Sequence, residues 1–320
     1  MFDVITVGSA TVDSFGETDK KFFKNGYYTF PAGAKILLHT LKFTTGGGGT
    51  NSAVALARLG LNVAFLGKVG IGGNSEFVLE DLVKDKIDAS LVCRENARTG
   101  FSMIIDARGR DRTIFAYKGS NDDLKYSEVK KSKLKAKWFY FATMLEESFK
   151  TQEKLAAFAA KNNIKIMYNI SSYLARKGPR YLRNILKYTD VLVLNFEEAQ
   201  LMLGKLGLNE LLKGLRKLGP KMVIITEGKA GVHAYDGKLR YFLKPHKVKV
   251  VETTGAGDAF ASSFLAGMIK NNDVEFALKL AQVNAEAVIT HHGAKTNLLS
   301  WNTAVHLINT RRDNIVKTRI

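Results

Sequence analysis

Short apolar runs recur along this chain, separated by longer stretches in which apolar residues return every three or four positions. The runs predict strands at Val4–Val7, Val63–Leu66, Trp138–Phe141, Ile164–Tyr168, Val191–Leu194 and Met222–Thr226. Continuous Val, Ile, Leu and Phe suit strands covered on both faces. The longer stretches predict helices at Asn51–Leu59 (closed by Gly60), Thr151–Lys161, Arg180–Lys187 and Glu197–Leu203. Such alternation argues an α/β fold: a mostly parallel sheet with helices on both faces. Ligands of these sheets bind at the carboxyl ends of the strands, so the turns after each strand are the places to search.

Two stretches depart from the alternation. Residues from about 15 to 45 contain Tyr27-Tyr28-Thr29-Phe30 and Ile36–Phe43 but no helical period. Residues from about 99 to 119 read as a hairpin, Phe101–Asp106 and Thr113–Lys118, around a turn at Ala107-Arg108-Gly109-Arg110. Both leave the sheet on its ligand side. Together they predict a small β-sheet lid that excludes water from a reactive group, or an ordinary surface hairpin. The lid's outer face also offers a homodimer contact. Lys247-Val248-Lys249-Val250-Val251 alternates charge and apolar side chain, as a strand with one covered face does. Four prolines and no repeat leave no obvious linker, which predicts one domain over 1–320.

Composition narrows the class. The chain is 46% hydrophobic and 24% charged, ordinary for a soluble globular protein. A single cysteine, Cys93, excludes an internal disulfide framework and a cluster of thiolates for zinc. The amino-terminal residues lack the basic start and long apolar core of a signal peptide. No apolar run approaches the ~20 residues that span a bilayer, so no membrane partner and a cytoplasmic location are expected. The net charge of +18 raises nucleic acid as a partner. However, Lys130, Lys131, Lys133, Lys135 and Lys137, or Lys213, Arg216 and Lys217, are spread over predicted helix faces and turns. A solvated lysine-rich surface, whose field also attracts small anions, is the simpler reading. Only Arg311-Arg312 to Lys317 and Arg319 is a basic cluster, a candidate for a disordered tail.

The chemistry concentrates at Thr254-Gly255-Ala256-Gly257-Asp258-Ala259-Phe260, between the 247–251 stretch and the small apolar run 261–268. A strand, a glycine turn and a helix start form an anion site, because glycine admits close backbone approach and the first helical N–H groups point outward. Asp258 would repel a phosphate there, unless it takes a proton from the group that attacks it. The alternative is a simple helix cap. The position at a helix start predicts an ionised carboxylate. Thr45-Gly46-Gly47-Gly48-Gly49-Thr50-Asn51 is the second glycine nest, with bare amides and the Asn51 side chain available to a polyhydroxylated ligand. Asp13 is placed to accept hydroxyl hydrogen bonds. Asn195 and Glu198, three apart at a helix start, are suited to phosphate and to the water shell of Mg²⁺, or to capping. Thr226, Gly228 and Gly231 form another nest for nucleotide phosphates. No P-loop segment is present.

These motifs resemble the ribokinase-like, PfkB-type family of carbohydrate and nucleoside kinases over essentially the full length. The specific signatures are the glycine cluster ending in Asn51 and Glu252-Thr253-Thr254-Gly255-Ala256-Gly257-Asp258; Asn195 to Glu198 matches the family's Asn-x-x-Glu. The resemblance implies a three-layer α/β/α sandwich with a lid, and ATP- and Mg²⁺-dependent transfer to a sugar-type hydroxyl. Asp258 would be the base, Gly255, Ala256 and Gly257 the anion hole, and Asp13, Gly47, Gly48 and Asn51 the acceptor clamp. Gln282 falls where an asparagine often lies near adenine. Carbonyls of Thr254, Val288 and Gly293 would serve a monovalent cation such as K⁺ beside Glu252, which replaces the family's usual Asp. Gly48 stands where ribokinases carry a lysine and Thr11 where they carry an asparagine, which points away from ribose. Arg108, Arg110 and Arg112 in the hairpin would meet an anionic acceptor, or are solvated. A nucleoside would need stacking by Phe30, Phe101, Phe115 or Tyr117. The rival from another class is a non-catalytic nucleic-acid-binding protein on this scaffold.

Overall fold

The computed structural model describes residues 1–107, 112–311 and 313–320; Arg108, Gly109, Arg110 and Arg312 of the sequence reading lie outside the described residues. Among those described, one nine-stranded sheet runs in the order 315–319, 239–243, 232–235, 222–226, 191–195, 165–169, 136–141, 2–7, 63–66. From 222–226 to 63–66 every neighbouring pair is parallel; the three strands on the far edge are antiparallel. All six predicted core strands are present, with ends that differ from the expectation by no more than two residues. Successive side chains of one strand point to opposite faces, and this divides the core in two. Val4, Phe65, Tyr140 and Met167 pack with Ala53, Leu56, Phe264 and Leu280 on one face. Ile5, Phe139, Tyr168 and Leu192 pack with Leu155, Leu182, Ala199 and Leu211 on the other. The result is the expected three layers.

A separate four-stranded sheet, in the order 113–117, 100–106, 11–17, 40–46, rises from the carboxyl ends of the parallel strands. The predicted hairpin is there, with Tyr117 opposite Phe101 and Thr113 opposite Ile105. Its register sorts the side chains. Asp13, Ser102 and Thr44 share one face, and Ser14, Met103, Phe43 and Phe115 share the other.

Two expectations are corrected. The 247–251 stretch is no strand, because the edge of the large sheet is already taken. The 239–243 strand pairs with the carboxyl-terminal strand Ile315–Arg319, leaving Val250 and Val251 exposed. The same pairing corrects the idea of a disordered basic tail: Lys317 and Arg319 belong to an ordered edge strand, where like charges discourage further strand addition.

Candidate active site

Gly255 opens the Ala256–Asn271 helix in the left-handed region, with φ 79° and ψ −6°. A Cβ at this position would lie 2.5 Å from the Ala294 Cα, so both backbone angle and space demand glycine. The amides of Gly257 and Asp258 fall in the first helical turn, where no intrahelical acceptor exists. Gly257 is exposed, and a Cβ added there would meet nothing within 4 Å. Behind this turn the helix is apolar and buried from Ala259 to Gly267, and Gly267 packs directly on Ala277. A buried helix therefore presents its positive end at an exposed glycine turn that also carries Asp258.

Both oxygens of Asp258 are held by amides. Asn51 Nδ2 donates to Oδ2 at 3.0 Å, and Asn169 Nδ2 approaches Oδ1 at 3.3 Å and the Tyr140 hydroxyl at 3.0 Å. Burial pushes the Asp258 carboxyl up to about 6 from 3.8, against the opposing pull of the Asn51 bond. Desolvation thus opposes the expected helix stabilisation of the anion, and a carboxyl near 6 remains mostly ionised at neutral pH. The dipole contributes ~0.3–1 kcal/mol, whereas a rise of this size is roughly 3 kcal/mol of desolvation. The sequence shows the helix start but not how much protein surrounds the carboxylate.

The glycine run lies against these carboxylates. A Cβ on Gly46 would fall 1.9 Å from Asp13 Oδ2, and one on Gly48 would sit 3.6 Å from Asp258 Oδ1. Gly47 has φ 99° and abuts the Ser9 carbonyl, while Gly49 abuts Gly8. Close packing is thus the main reason for four glycines. The Gly48 amide donates to Ser9 Oγ and the Gly49 amide to the Ser9 carbonyl, so those two donors are already engaged. Asp13 is buried, accepts from Thr11 Oγ1 at 3.0 Å, and has its carboxyl raised by burial against bonds from Ser102 and Thr11. Asn51 is buried too, and its Oδ1 has no partner among the described residues. Such an orphan acceptor calls for a donor from a ligand.

Asn195 and Glu198 make a reciprocal capping box at the head of the Phe196–Leu203 helix, with bonds of 2.8 and 2.9 Å. Burial raises the Glu198 carboxyl while the amides of Asn195 and Ser172 hold it down. Thr226 ends its strand, and the Glu227 amide donates to the Gly231 carbonyl to close a short loop. Gly231 at φ 125° is packed against Phe242, whereas Gly228 at φ 52° faces open space. Gln282 is buried with Nε2 3.2 Å from His246 Nδ1, in a cluster with Glu286 and Asp313.

Glu252 is buried and accepts from Thr254 Oγ1 at 2.5 Å and from the Gly293 amide at 3.0 Å. Arg112, expected at the acceptor, has its Nε 3.8 Å from Glu252 Oε1. The sequence reading missed Asn169 and Tyr140. Asn169 ends the Lys165–Asn169 strand, so the strand-end rule alone pointed to it. Tyr140 reads as core, and only its hydroxyl reveals more. A cavity of about 740 Å³ lies elsewhere, lined by Ile71, Asn74, Arg98, Phe101 and Tyr117 among others. None of the carboxylates above reaches its lining, so the chemistry favours the Asp258 cleft.

Residues 1–301 match the model of the pfkB family carbohydrate kinases. The chain belongs to that family. This carbohydrate kinase is 26% identical to the ribokinase of Bacillus subtilis over 310 residues, covering 96% of the present chain and all of the relative. It is 28% identical to the 5-dehydro-2-deoxygluconokinase of Clostridium perfringens, covering 93% and 90%. Among solved structures, the nucleoside kinase of Methanocaldococcus jannaschii superposes with a TM-score of 0.82 at 22% identity, covering 97% and 99%. That likeness establishes the ribokinase fold. Kinases of this family phosphorylate sugars at the expense of ATP, used with Mg²⁺.

Proposed function

We propose that this kinase transfers the γ-phosphoryl group of ATP to a hydroxyl of a neutral, sugar-type polyol, with Asp258 as the base. The observation that carries the reading is the juxtaposition of a desolvated carboxylate, Asp258, with the exposed glycine turn at the head of its helix. The acceptor hydroxyl gives its proton to Asp258 as its oxygen bonds to the γ-phosphorus, and the bond to the ADP oxygen breaks. The first-turn amides stabilise charge on the phosphoryl oxygens as it develops, so the protein contributes mainly positioning and electrostatics. Asp13 and the orphan Asn51 Oδ1 accept hydroxyls of the polyol. The longer contact of Asn169 to Oδ1 is the one the incoming hydroxyl displaces. The small sheet closes over the acceptor as a lid.

The loop from Thr226 to Gly231, with Asn195 and Gln282, receives the nucleotide. Mg²⁺, when bound, neutralises the phosphate charge. Mg²⁺ takes few protein carboxylates and many water oxygens, and Glu198, already tied to two amides, would order that water shell. Three of the four stacking candidates for a nucleoside, Phe101, Phe115 and Tyr117, lie on the face of the small sheet opposite Asp13, and Phe30 lies outside that sheet, which favours the sugar reading. The outer face bearing Phe43, Met103 and Phe115 instead suits a second copy of the chain.

The test is Asp258→Asn. It should bind ADP within about three-fold of wild type in calorimetry, yet lose at least about 10³-fold in kcat on whichever sugar supports ATP consumption. Retention of wild-type kcat would remove Asp258 as the base.

A further inference from the structure

The turn that holds the anion hole is braced from below by residues 291–294, since Ala294 fills the space under Gly255. What fastens that brace is Glu252. Its Oε2 accepts the Gly293 amide and its Oε1 the Thr254 hydroxyl, so one carboxylate ties the entry to the hole and the supporting loop together. A monovalent cation at this place would need the carbonyls of Thr254, Val288 and Gly293. The Val288 carbonyl accepts from the His291 amide at 3.2 Å and the Gly293 carbonyl from the Thr296 amide at 3.3 Å, which leaves each with one of its two lone pairs. Arg112 Nε stands 3.8 Å from one carboxylate oxygen and His292 Nδ1 3.5 Å from the other. Among the described residues, no cluster of three or more metal-ligating side chains occurs here or elsewhere. Arg112 thus brings a fixed positive charge to Glu252, the carboxylate beside those carbonyls, which is the charge a cation would otherwise supply.

We propose that Arg112 takes the place of an activating monovalent cation in this chain, resting on the kinase reading above. An always-charged guanidinium neutralises Glu252 permanently, and Glu252 in turn fixes the loop beneath Gly255. Arg112 immediately precedes the Thr113–Tyr117 strand of the small sheet. The charge that steadies the anion hole is therefore carried by the lid, and lid position and hole geometry are coupled through one ion pair. Arg112 acts as a positioning residue, since it reaches the reacting atoms only through Glu252 and Gly293.

The test compares the full-length protein in choline chloride and in KCl at equal ionic strength. ADP affinity by calorimetry and kcat for ATP consumption should each change by less than about two-fold on replacing choline with K⁺. Arg112→Met should lower kcat by about ten-fold or more with the acceptor KM within about three-fold, and Arg112→Lys should recover part of the loss. Wild-type stimulation of several-fold by K⁺ overturns the inference while leaving the kinase reading intact. A rise in acceptor KM at constant kcat in Arg112→Met also overturns it, and assigns Arg112 to the acceptor. Failure to bind ADP in either salt removes the kinase reading and the inference with it.

Discussion

At the scale of single residues, the decisive property is the environment of Asp258. Its carboxyl is pushed up to about 6 by burial, so in the folded protein it holds a proton more tightly than in the unfolded chain. A base must be ionised, and activity therefore falls as pH drops through about 6. The acid limb of kcat/KM should show an apparent pKa near that value; a limb near 4 would mean that the carboxylate is well solvated. Stability carries the opposite sign. A raised folded-state pKa adds stability that is complete below the unfolded value of 3.8 and lost as pH rises through about 6. At pH 8 the wild type thus bears the full cost of a desolvated charge, and Asp258→Asn should melt higher by about 2–4 °C, an advantage that disappears near pH 3.5. An unchanged Tm at pH 8 would contradict the desolvation. Asn169 belongs to the same argument, since its amide steadies Oδ1 and the buried Tyr140 hydroxyl at once.

At the scale of elements, glycines separate folding from function. Gly255 is required by both φ and space, but Gly257 is helical with nothing within 4 Å of a Cβ. Alanine at 257 should therefore stabilise the helix by up to ~1 kcal/mol while placing a methyl group in the space proposed for a phosphoryl oxygen. The expected result is a Tm equal to or above wild type, by calorimetry, with kcat down about 10²-fold. Full activity in Gly257→Ala would place the anion elsewhere. The elements themselves were legible in the sequence, because strands buried on both faces read as unbroken apolar runs such as Val191–Leu194. The two glycine nests were legible because backbone approach permits few substitutes. The 247–251 stretch misled because alternation describes one covered face and says nothing about whether a neighbouring strand is free. The glycine run was assigned to ligand amides, yet Ser9 holds two of them; long-range packing such as Gly49 against Gly8 leaves no local mark. The Arg112–Glu252 pair joins residues 140 apart in the chain, beyond any local pattern.

At the scale of the whole molecule, charge and surface set what the kinase meets. No helix among the described residues is long and apolar enough to cross a membrane. The charge of +18 produces a field that attracts small anions, an attraction that salt weakens. The small sheet is anchored where Lys295 bonds Thr45 and Asp81, linking the last residues of the 40–46 strand to the Gly73–Lys84 helix and to the loop beside the anion hole. Beyond that anchor, its outer face exposes Leu41, Phe43, Met103, Phe115 and Tyr117 together, four of them about half exposed. Contiguous aromatic and aliphatic side chains on a monomer's surface mark an interaction site. A two-fold pairing of this face with itself would bury them and would stiffen both lids, since each sheet is otherwise supported on one side only. Sedimentation velocity at micromolar concentration should show a dimer. Phe43→Asp combined with Phe115→Asp should give a folded monomer with ADP affinity within about three-fold of wild type and a raised acceptor KM. A wild type that stays monomeric at tens of micromolar would refute the pairing, and a monomeric double variant with normal acceptor KM would show that lid closure is complete within one chain.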